Sequence, residues 1–496
     1  MPLSTPPNAP EQAKAMISLP RSPRKQQYLG ATEQTSRSRD AWIAKNRYFH
    51  AEDEQYLRFL IPPGQRVLEV GCGAGHSLAA IHPSVGVGVD FSSARIAEAR
   101  QLHPNLTFLV GDAEESATVD ALVAKGPFDV VLIVDLFGYL DDIQQMMESL
   151  HRMCHADTRI VLAYHSYLWE PILQLAESVG MKEALGPLNY VAPADISNIL
   201  SLAGFEVVKQ EARQLIPRHA LGVGKLINRW IAPLPGIRSL CIRRYAVARS
   251  RQVQRAPECS CSVIIPARNE RGNIEAAVLR LPQFCPDLEI IFVEGHSKDA
   301  TWEEILRVQA AYPDRKIRCL QQTGKGKGDA VRAGFAASSA EILMILDADL
   351  TVAPEDLPKF FRAMTSDVGE FINGTRLIYP LQEQAMRFLN YWANRTFAVL
   401  FSYLLNQRLS DTLCGTKVLR RSAYEKIVRN RKYFGDFDPF GDFDLIFGAA
   451  RINLKIIEVP VRYAARTYGT TQISRFSHGW LLLRMVAFAF RKIKAL

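Results

Sequence analysis

The chain has 496 residues, of which 48% are hydrophobic and 22% charged, and this composition excludes an intrinsically disordered protein. Its length predicts two or three domains, since a single core rarely grows so large. Lys and Arg outnumber Asp and Glu by 60 to 51, and the net charge of +9 favours anionic partners such as phosphate ligands or acidic lipids.

Cysteine content and the first residues bear on the cellular setting. Eight cysteines without a CxxC pair indicate reduced thiols and a cytoplasmic protein. Residues 1–40 are rich in Pro, Ser, Gln and charge and lack the apolar stretch of a signal peptide, so we expect a disordered tail. Because no window has about eighteen consecutive apolar residues, any membrane contact is expected to be peripheral.

Strand and helix patterns alternate in the first half, which we assign to a domain spanning residues 41–250. The apolar runs that predict strands are RVLEV (66–70), VGVGVD (85–90), LTFLV (106–110), FDVVLIV (128–134), RIVLAY (159–164), FEVVKQ (205–210) and YAVAR (245–249). Amphipathic segments such as SSARIAEARQLH lie between them. This alternation predicts a parallel sheet with helices on both faces.

A glycine-rich turn follows the first predicted strand. In RVLEVGCGAGHS, one acidic residue precedes three alternate glycines: Glu69, Gly71, Gly73 and Gly75. Such glycines let the backbone turn tightly and approach a ligand, although a plain strand–helix turn would also use them. The second strand ends at Asp90, where a carboxylate can bind a ribose diol. Asp112 and Asp135 follow the third and fourth strands, at the same predicted edge of the sheet.

These motifs, ExGxGxG, GxD and GDAE, resemble those of the class I S-adenosylmethionine-dependent methyltransferases over roughly residues 60–210; a dinucleotide site would usually carry GxGxxG. The resemblance implies a Rossmann-like fold and S-adenosylmethionine as cofactor. It places the three glycines at the methionine part, Asp90 at the ribose, Asp112 with Ala113 at the adenine, and Glu69 near the methionine ammonium. Asp135 joins this cofactor-binding set.

The methyl acceptor is less defined, and a small molecule or a glycan would fit. His165, after the fifth strand, is a candidate general base because its ordinary pKa lies near neutrality, but a structural histidine is the alternative. The basic insertion at 217–240 is either a lid over the acceptor or a packing element.

A polar stretch without periodicity, 251–258, is interpreted as a linker, and a second alternation of strands and helices starts after it. Its predicted strands are CSVIIP (261–266), LEIIFVE (288–294), KIRCLQQ (316–322) and EILMILDAD (341–349). The last strand runs into Asp347 and Asp349. Carboxylates at that spacing are hard oxygen ligands for Mg²⁺ or Mn²⁺, which would clamp a diphosphate, although a solvated loop also commonly carries D-x-D.

The series VIIPARNE, IIFVEGHSKDAT, GKGKGDAVRAG and ILDAD resembles the family 2 inverting glycosyltransferases, which have a GT-A fold and use a nucleotide-sugar donor. The segments DTLCGTKVL, FGDFDLIFGA and EVPVRYAARTYGTTQ are most similar to dolichyl- or polyprenyl-phosphate sugar transferases. We place this domain at residues 259–478. The sequence departs from the family pattern at Glu294, where an aspartate is usual, and at Gln472, where a lysine is common and for which Arg475 could compensate.

The resemblance implies roles for individual residues. Asp347 and Asp349 would hold the metal, and Arg466 would stabilise the diphosphate. The nucleotide-sugar would contact Pro266, Arg268, Glu270, Glu294, Ser297, Lys327, Asp329 and Asp347. A phosphate acceptor needs little base catalysis, whereas a hydroxyl acceptor would need a carboxylate to take its proton. The candidates for that base are Asp411, Asp442 and Asp444, the last two in a segment that could be only an acidic turn.

Two segments predict contact with a membrane surface. Residues 387–409 and 479–496 combine apolar faces with flanking Lys and Arg, which suits interfacial helices; core helices with a basic tail are the alternative. No aromatic-interleaved basic platform points to nucleic acid. We therefore expect a cytoplasmic enzyme, peripheral at the membrane, that transfers a sugar to a lipid phosphate or glycan and also transfers a methyl group. The alternative is a glycosyltransferase whose first domain only binds cofactor or acts as a scaffold.

Overall fold

The computed structural model describes residues 22–178, 190–253, 255, 260–378, 388–434, 443–464, 466, 468 and 475–496. Within these residues the chain forms two α/β domains, each built on one seven-stranded mixed sheet. The predicted fold class of two tandem α/β domains is confirmed.

The first sheet has the strand order β3-β2-β1-β4-β5-β7-β6, with β7 antiparallel to both of its neighbours. Its strands are β1 (Arg66–Val70), β2 (Val85–Asp90), β3 (Thr107–Val110), β4 (Phe128–Val134), β5 (Cys154–His165), β6 (Phe205–Arg213) and β7 (Arg243–Ser250). The helices of this domain are α1 (Pro23–Lys45), α2 (Arg47–Leu60), α3 (His76–Ala80), α4 (Ser93–Leu102), α5 (Ser116–Val123), α6 (Ile143–Ser149), α7 (Glu170–Ser178), α8 (Pro193–Leu202) and α9 (Val223–Trp230).

The second sheet has the order β10-β9-β8-β11-β13-β12-β14, with β13 antiparallel to β11 and β12. Its strands are β8 (Ser260–Ala267), β9 (Asp287–Glu294), β10 (Lys316–Gln321), β11 (Ile342–Ile345), β12 (Phe371–Thr375), β13 (Lys417–Arg420) and β14 (Ile456–Pro460). The helices are α10 (Ile274–Arg280), α11 (Thr301–Ala311), α12 (Lys327–Ala337), α13 (Leu357–Thr365), α14 (Phe388–Leu405), α15 (Arg421–Asn430), α16 (Phe443–Arg451) and α17 (Arg475–Ala489), which continues into a π-helical turn (Phe490–Lys494).

Both sheets are buried on their two faces. Consecutive residues of the central strands β1, β4, β8 and β11 are almost all inaccessible to solvent. Such continuous apolar runs are typical of parallel strands covered by helices. Polar residues therefore collect where the strands end, and the candidate sites lie there.

Residues 23–40 differ from the expected disordered tail, because they belong to helix α1. Ser22 caps the helix by accepting a hydrogen bond from the amide of Lys25, and Pro23 occupies its first position. Tyr28 is buried and packs edge-on against Tyr139, with ring centroids 5.1 Å apart. The prediction from composition is wrong here because these side chains find partners more than a hundred residues away.

The two domains share a buried, polar interface. Arg159 at the start of the buried part of β5 forms an ion pair with Glu370 at 2.6 Å, and its Nε donates to the carbonyl of Asn453. The π-helical turn at the C-terminal side also lies in this interface, where Lys494 is fully buried against Glu211. Lys494, which the sequence assigned either to an interfacial helix or to a basic tail, is therefore packed inside the protein.

In the described part of the chain, none of the helices combines the length and the hydropathy that crossing a membrane requires.

Candidate functional site

The glycine-rich turn after β1 requires glycine at each of its three positions. Gly71, Gly73 and Gly75 all have positive φ, at 76°, 51° and 79°. A Cβ on Gly71 would lie 2.7 Å from the side chain of Leu136, whereas a Cβ on Gly73 would meet no atom within 4 Å. The backbone at Gly73 is therefore open to close approach by a ligand.

A cleft opens at the carboxyl edge of the first sheet. Asp90, at the end of β2, accepts hydrogen bonds from the amides of Gly73 (2.8 Å) and Ser92 (2.9 Å) and so holds the turn in place. The cleft is lined by Lys25, Gly71, Val89, Asp90, Phe91, Gly111, Asp112, Ala113, Leu136, Tyr139 and Leu140. Four of the eight residues predicted to bind cofactor, Gly71, Asp90, Asp112 and Ala113, thus line one cleft.

Helix α1 closes one side of this cleft with a residue that the sequence did not single out. The ammonium of Lys25 donates to both oxygens of Asp112, at 2.7 and 2.6 Å, and also pairs with Glu114. Burial opposes the charge of Lys25, but the two carboxylates outweigh it and raise its pKa. A signal for this contact is hard to find in the sequence, because Lys25 and Asp112 are 87 residues apart.

Glu69 lies beneath the turn with only 2% of its surface exposed. Its carboxyl accepts a hydrogen bond from the amide of Leu78 at 3.0 Å. Burial raises the pKa of Glu69 to about 8, and the nearby charge of Asp90 acts in the same direction. A cationic ligand beside Glu69 would favour its ionised form.

Asp135 and His165 meet at the ends of β4 and β5. His165 Nδ1 lies 2.9 Å from Asp135 Oδ1, and the guanidinium of Arg243 donates to the same oxygen at 2.7 Å. Burial alone would raise the pKa of Asp135, but the charges of Arg243 and His165 hold it well below its usual value. Arg243 is itself fixed by two hydrogen bonds to Asp53, at 3.1 and 2.8 Å.

This arrangement orients the imidazole of His165. With Nδ1 as the donor toward Asp135, Nε2 is left as the proton acceptor, and the described residues give it no hydrogen bond. The ring stacks on Phe49, with centroids 5.7 Å apart. Asp135 precedes Leu136, which lines the cleft, so the pair lies next to the candidate cofactor site.

In the second domain, Arg466 connects two of the predicted acidic residues. It donates to Asp349 at 2.5 Å and to Glu270 at 3.2 Å. Asp349 also accepts from the amide and hydroxyl of Thr351, at 3.1 and 2.8 Å. Burial raises the pKa of Glu270, with the neighbouring charge of Asp349 adding to the effect, although Asn273 and Arg466 oppose it.

Lys327, at the start of α12, forms an ion pair with Asp347 at 2.7 Å. Burial would raise the pKa of Asp347, but the ammonium of Lys327 outweighs it, so the pKa lies below its ordinary value. Gly415 allows this packing, since a Cβ there would lie 1.9 Å from the Asp347 carboxylate. Gly415 is the glycine of the DTLCGTKVL segment.

The residues present fit a divalent cation that shares its coordination with a ligand. Asp347 and Asp349 offer hard carboxylate oxygens, and each already holds a cationic side chain, which shows that positive charge is favoured there. Among the described residues no cluster of three or more His, Cys, Asp or Glu could hold an ion by itself. Water or a diphosphate would supply the remaining ligands.

Asp411 is completely buried and its carboxylate is saturated. It accepts from Arg376 Nε and Nη2 at 2.6 and 2.8 Å, from Asn394 at 3.0 Å, and from the amides of Arg376 and Leu413. Burial would raise the pKa of Asp411, but Arg376 outweighs it and holds it below the usual value. These bonds fix the side chain of Arg376, which sequence reasoning missed, and the role of Asp411 as a proton acceptor stays a prediction.

The other predicted residues take varied positions. Asp444 pairs with Arg431 at 2.8 Å, and Asp442 lies outside the described residues. The carboxylate of Glu294, which ends β9, accepts from the amide of Ser297 at 2.5 Å, and the Ser297 hydroxyl in turn accepts from the amide of Asn269.

The remaining members of the nucleotide-sugar set lie on the same edge of the sheet. Asp329 accepts from the amide of Gly324 at 3.0 Å and so closes the glycine-rich loop before α12. Pro266 pairs in register with Val293 of β9, and Arg268 follows the end of β8. The hydrogen bond from the amide of Asn269 to Ser297 joins the loops after β8 and β9, and the one between His296 Nε2 and the carbonyl of Gly324 joins the loops after β9 and β10.

Comparison with known proteins gives a separate result for each half. Residues 43–210 match the family model "Methyltransferase domain", and residues 262–428 match "Glycosyl transferase family 2". A dolichol-phosphate mannosyltransferase from Pyrococcus furiosus is 28% identical over 216 residues, which cover 43% of this chain and 58% of that protein. A polyprenol monophosphomannose synthase from Mycolicibacterium smegmatis is 28% identical over 220 residues, covering 43% of this chain and 80% of that protein.

A solved S-adenosylmethionine-dependent methyltransferase from Thermotoga maritima has 16% identity and a TM-score of 0.34, covering 45% of this chain and 99% of that one. The chain spans little more than half the length of the Pyrococcus relative. The two family matches do not overlap and follow the two sheets in order. The chain therefore joins a methyltransferase domain to a family 2 glycosyl transferase domain.

Proposed function

We propose that this protein is a bifunctional enzyme. Its second domain transfers a sugar, with inversion, from a nucleotide-sugar to a polyprenyl phosphate or a glycan, and its first domain transfers a methyl group from S-adenosylmethionine to a small molecule or glycan. The observation that carries the sugar-transfer proposal is the convergence of Glu270, Asp347 and Asp349 on Arg466 and Lys327. The activities for which the two relatives are named agree with a lipid-phosphate acceptor.

In the sugar-transfer site, Asp347 and Asp349 would hold Mg²⁺ or Mn²⁺, which supplies positive charge against the diphosphate leaving group. Lys327 and Arg466, which pair with these carboxylates at 2.7 and 2.5 Å, would serve as donors to the phosphates. Arg376 is held by two hydrogen bonds to Asp411, and its positive charge would attract an anionic acceptor. A phosphate acceptor is already nucleophilic at neutral pH, so no carboxylate base is required.

In the methyl-transfer site, Asp90, Asp112 and the glycine turn would hold S-adenosylmethionine, which would supply the methyl group. The residues Glu69, Gly71, Gly73, Gly75 and Ala113 complete its surroundings. His165, oriented by Asp135, takes the proton of a hydroxyl acceptor on Nε2. Lys25 must leave Asp112 if the adenine amino group is to use that carboxylate, so α1 acts as a closing element of the cleft.

The test is a pair of activity assays on matched variants. Sugar transfer from a panel of nucleotide-sugars to a short-chain polyprenyl phosphate is measured with Mn²⁺ present, and methyl transfer is measured with labelled S-adenosylmethionine and candidate glycans. We expect Asp349→Asn to abolish sugar transfer and to spare cofactor binding. Asp90→Ala should abolish cofactor binding and spare sugar transfer. Normal sugar transfer by Asp349→Asn would refute the metal-site assignment.

The second candidate is a scaffold role for the first domain. Its motivation is Lys25, which occupies the Asp112 carboxylate in the structure. Cofactor binding without any methylated product would favour this role. In either case we place the protein in the cytoplasm and peripherally on the membrane, as a lipid-phosphate acceptor requires.

A further inference from the structure

The insertion between β6 and β7 exposes an apolar surface that neither proposed reaction uses. Leu221 is fully exposed, and on helix α9 Val223 and Leu226 have 55% and 61% of their surface exposed. Trp230, one turn beyond Leu226 on α9, is 41% exposed. Residues three and four apart share one face of a helix, so Val223, Leu226 and Trp230 form a single outward apolar stripe, and Leu221 lies just before it.

The charges within the insertion itself are all of one sign, although Glu52 of α2 lies near Lys225 and Arg229. Residues 217–240 contain four basic residues, Arg218, Lys225, Arg229 and Arg238, and no Asp or Glu. Arg218 and Lys225 are exposed beside the stripe. A helix with an exposed apolar face and flanking basic residues is suited to an anionic lipid interface, where the acyl region receives the apolar side chains and the headgroups receive the cations.

The apolar surface continues onto the second domain. Trp230 stacks on Phe490 with ring centroids 6.0 Å apart, and the hydroxyl of Tyr403 donates to the carbonyl of Pro233. Helices α14 and α17 pack together there. They expose the apolar side chains of Val399, Trp480 and Leu483.

Both candidate sites are connected to this surface. Helix α14, which exposes Val399, also carries Asn394, the residue that donates to Asp411 in the acceptor region. On the methyltransferase side, the chain after His165 leads to Trp169, whose indole donates to the carbonyl of Leu240 at 2.7 Å. A bilayer bound to this surface would therefore lie close to both candidate sites.

We propose that α9 with its flanking loops, together with α17, forms one docking face for an anionic lipid bilayer, so that the methyltransferase domain itself binds the membrane. This inference extends the peripheral membrane location proposed above. It rests on the proposed function only for the biological reason that this face would bind a membrane. The polar groups of residues 217–240 are held within the protein, for example by Asn228, which bonds both the amide and carbonyl of Ile216. The insertion is therefore a formed platform and not a lid that needs a ligand to fold.

Vesicle flotation of the full chain tests this proposal without measuring either activity. The probes are phosphatidylcholine vesicles with and without phosphatidylglycerol. We expect binding to the anionic vesicles only, and in the double variant Leu221→Asp/Leu226→Asp we expect the partition coefficient to fall at least about tenfold, since burial of one leucine corresponds to roughly tenfold or more. Leu279→Asp is the matched control, because Leu279 on α10 is 59% exposed but lies outside the face.

Two results would overturn the proposal. One is equal flotation of the double variant and the wild type, and the other is a wild type that does not bind anionic vesicles. A wild-type dimer in light scattering that the double variant converts to a monomer, without vesicle binding, would assign the face to a second copy of the chain. Sugar transfer to a detergent-dispersed short-chain acceptor should be equal in wild type and double variant, so loss of docking is distinguishable from failure of the proposed function.

Discussion

Glu69 provides the sharpest test of the cofactor site, because its protonation should couple to cofactor binding. The carboxyl is buried beneath the glycine turn, and burial raises its pKa to about 8. In the cofactor-free protein at neutral pH, Glu69 is therefore mostly protonated. If it lies near the ammonium of S-adenosylmethionine, binding selects the ionised form and releases a proton.

The size of the effect follows from this pKa. A carboxyl with a pKa near 8 is only about 1% ionised at pH 6 and about half ionised at pH 8. The affinity for S-adenosylmethionine should thus rise roughly tenfold per pH unit from pH 6 to 7 and level off above pH 8. The free energy of unfolding has the opposite dependence on pH. Because the pKa of Glu69 is higher in the folded than in the unfolded state, its contribution to stability is fully present below about pH 4.5 and is lost as the pH rises through about 8.

Isothermal titration calorimetry measures both quantities. Titrations at several pH values give the dissociation constant, and titrations in two buffers with different ionisation enthalpies give the number of protons released, for which we expect a value near one at pH 6 to 7. The Glu69→Gln variant is the control, since its affinity should not depend on pH in this range. Equal affinity at pH 6 and pH 8, or a steep dependence that survives in Glu69→Gln, would contradict the assignment.

Three further predictions concern the interface and the methyl-transfer site. Glu370→Gln leaves the buried guanidinium of Arg159 without its carboxylate, and urea denaturation should show a free energy of unfolding lowered by about 3 kcal/mol. The control Glu304→Gln, which removes the more exposed ion pair with Arg307, should change the free energy of unfolding by less than about 1 kcal/mol. Burial lowers the pKa of Lys209 to about 7. Lys209→Met should therefore stabilise the protein by roughly a few kcal/mol at pH 6 and remove the gain in stability that the wild type shows between pH 7 and 10.5. An unchanged dependence of stability on pH would contradict this prediction. His165→Gln should reduce methyl transfer about a hundredfold while sugar transfer is retained, and a variant with unaltered methyl transfer would exclude His165 as the base.

The local pattern of the chain was enough to predict the strands of the first sheet, four strands of the second sheet and the edge on which the candidate sites lie. Strand β1 and its glycine turn were readable because apolar runs and positive-φ glycines are properties of a few consecutive residues. The carboxylates Asp90 and Asp347 could be placed for the same reason, since each follows a predicted strand directly. Strands β12 to β14 were not predicted, because they are short and their apolar patterns are not distinct from those of neighbouring helices.

Contacts between distant residues needed the tertiary structure. Lys25 binds Asp112 across 87 residues, Arg466 binds Asp349 across 117, and Arg376 saturates Asp411. None of these pairs has a spacing that sequence periodicity records, because loops of any length can close at a modest cost in entropy. The sequence by itself thus determined which chemical groups reach the edge of each sheet, and only the packing of both domains decided which cation neutralises each acid and which apolar side chains remain exposed.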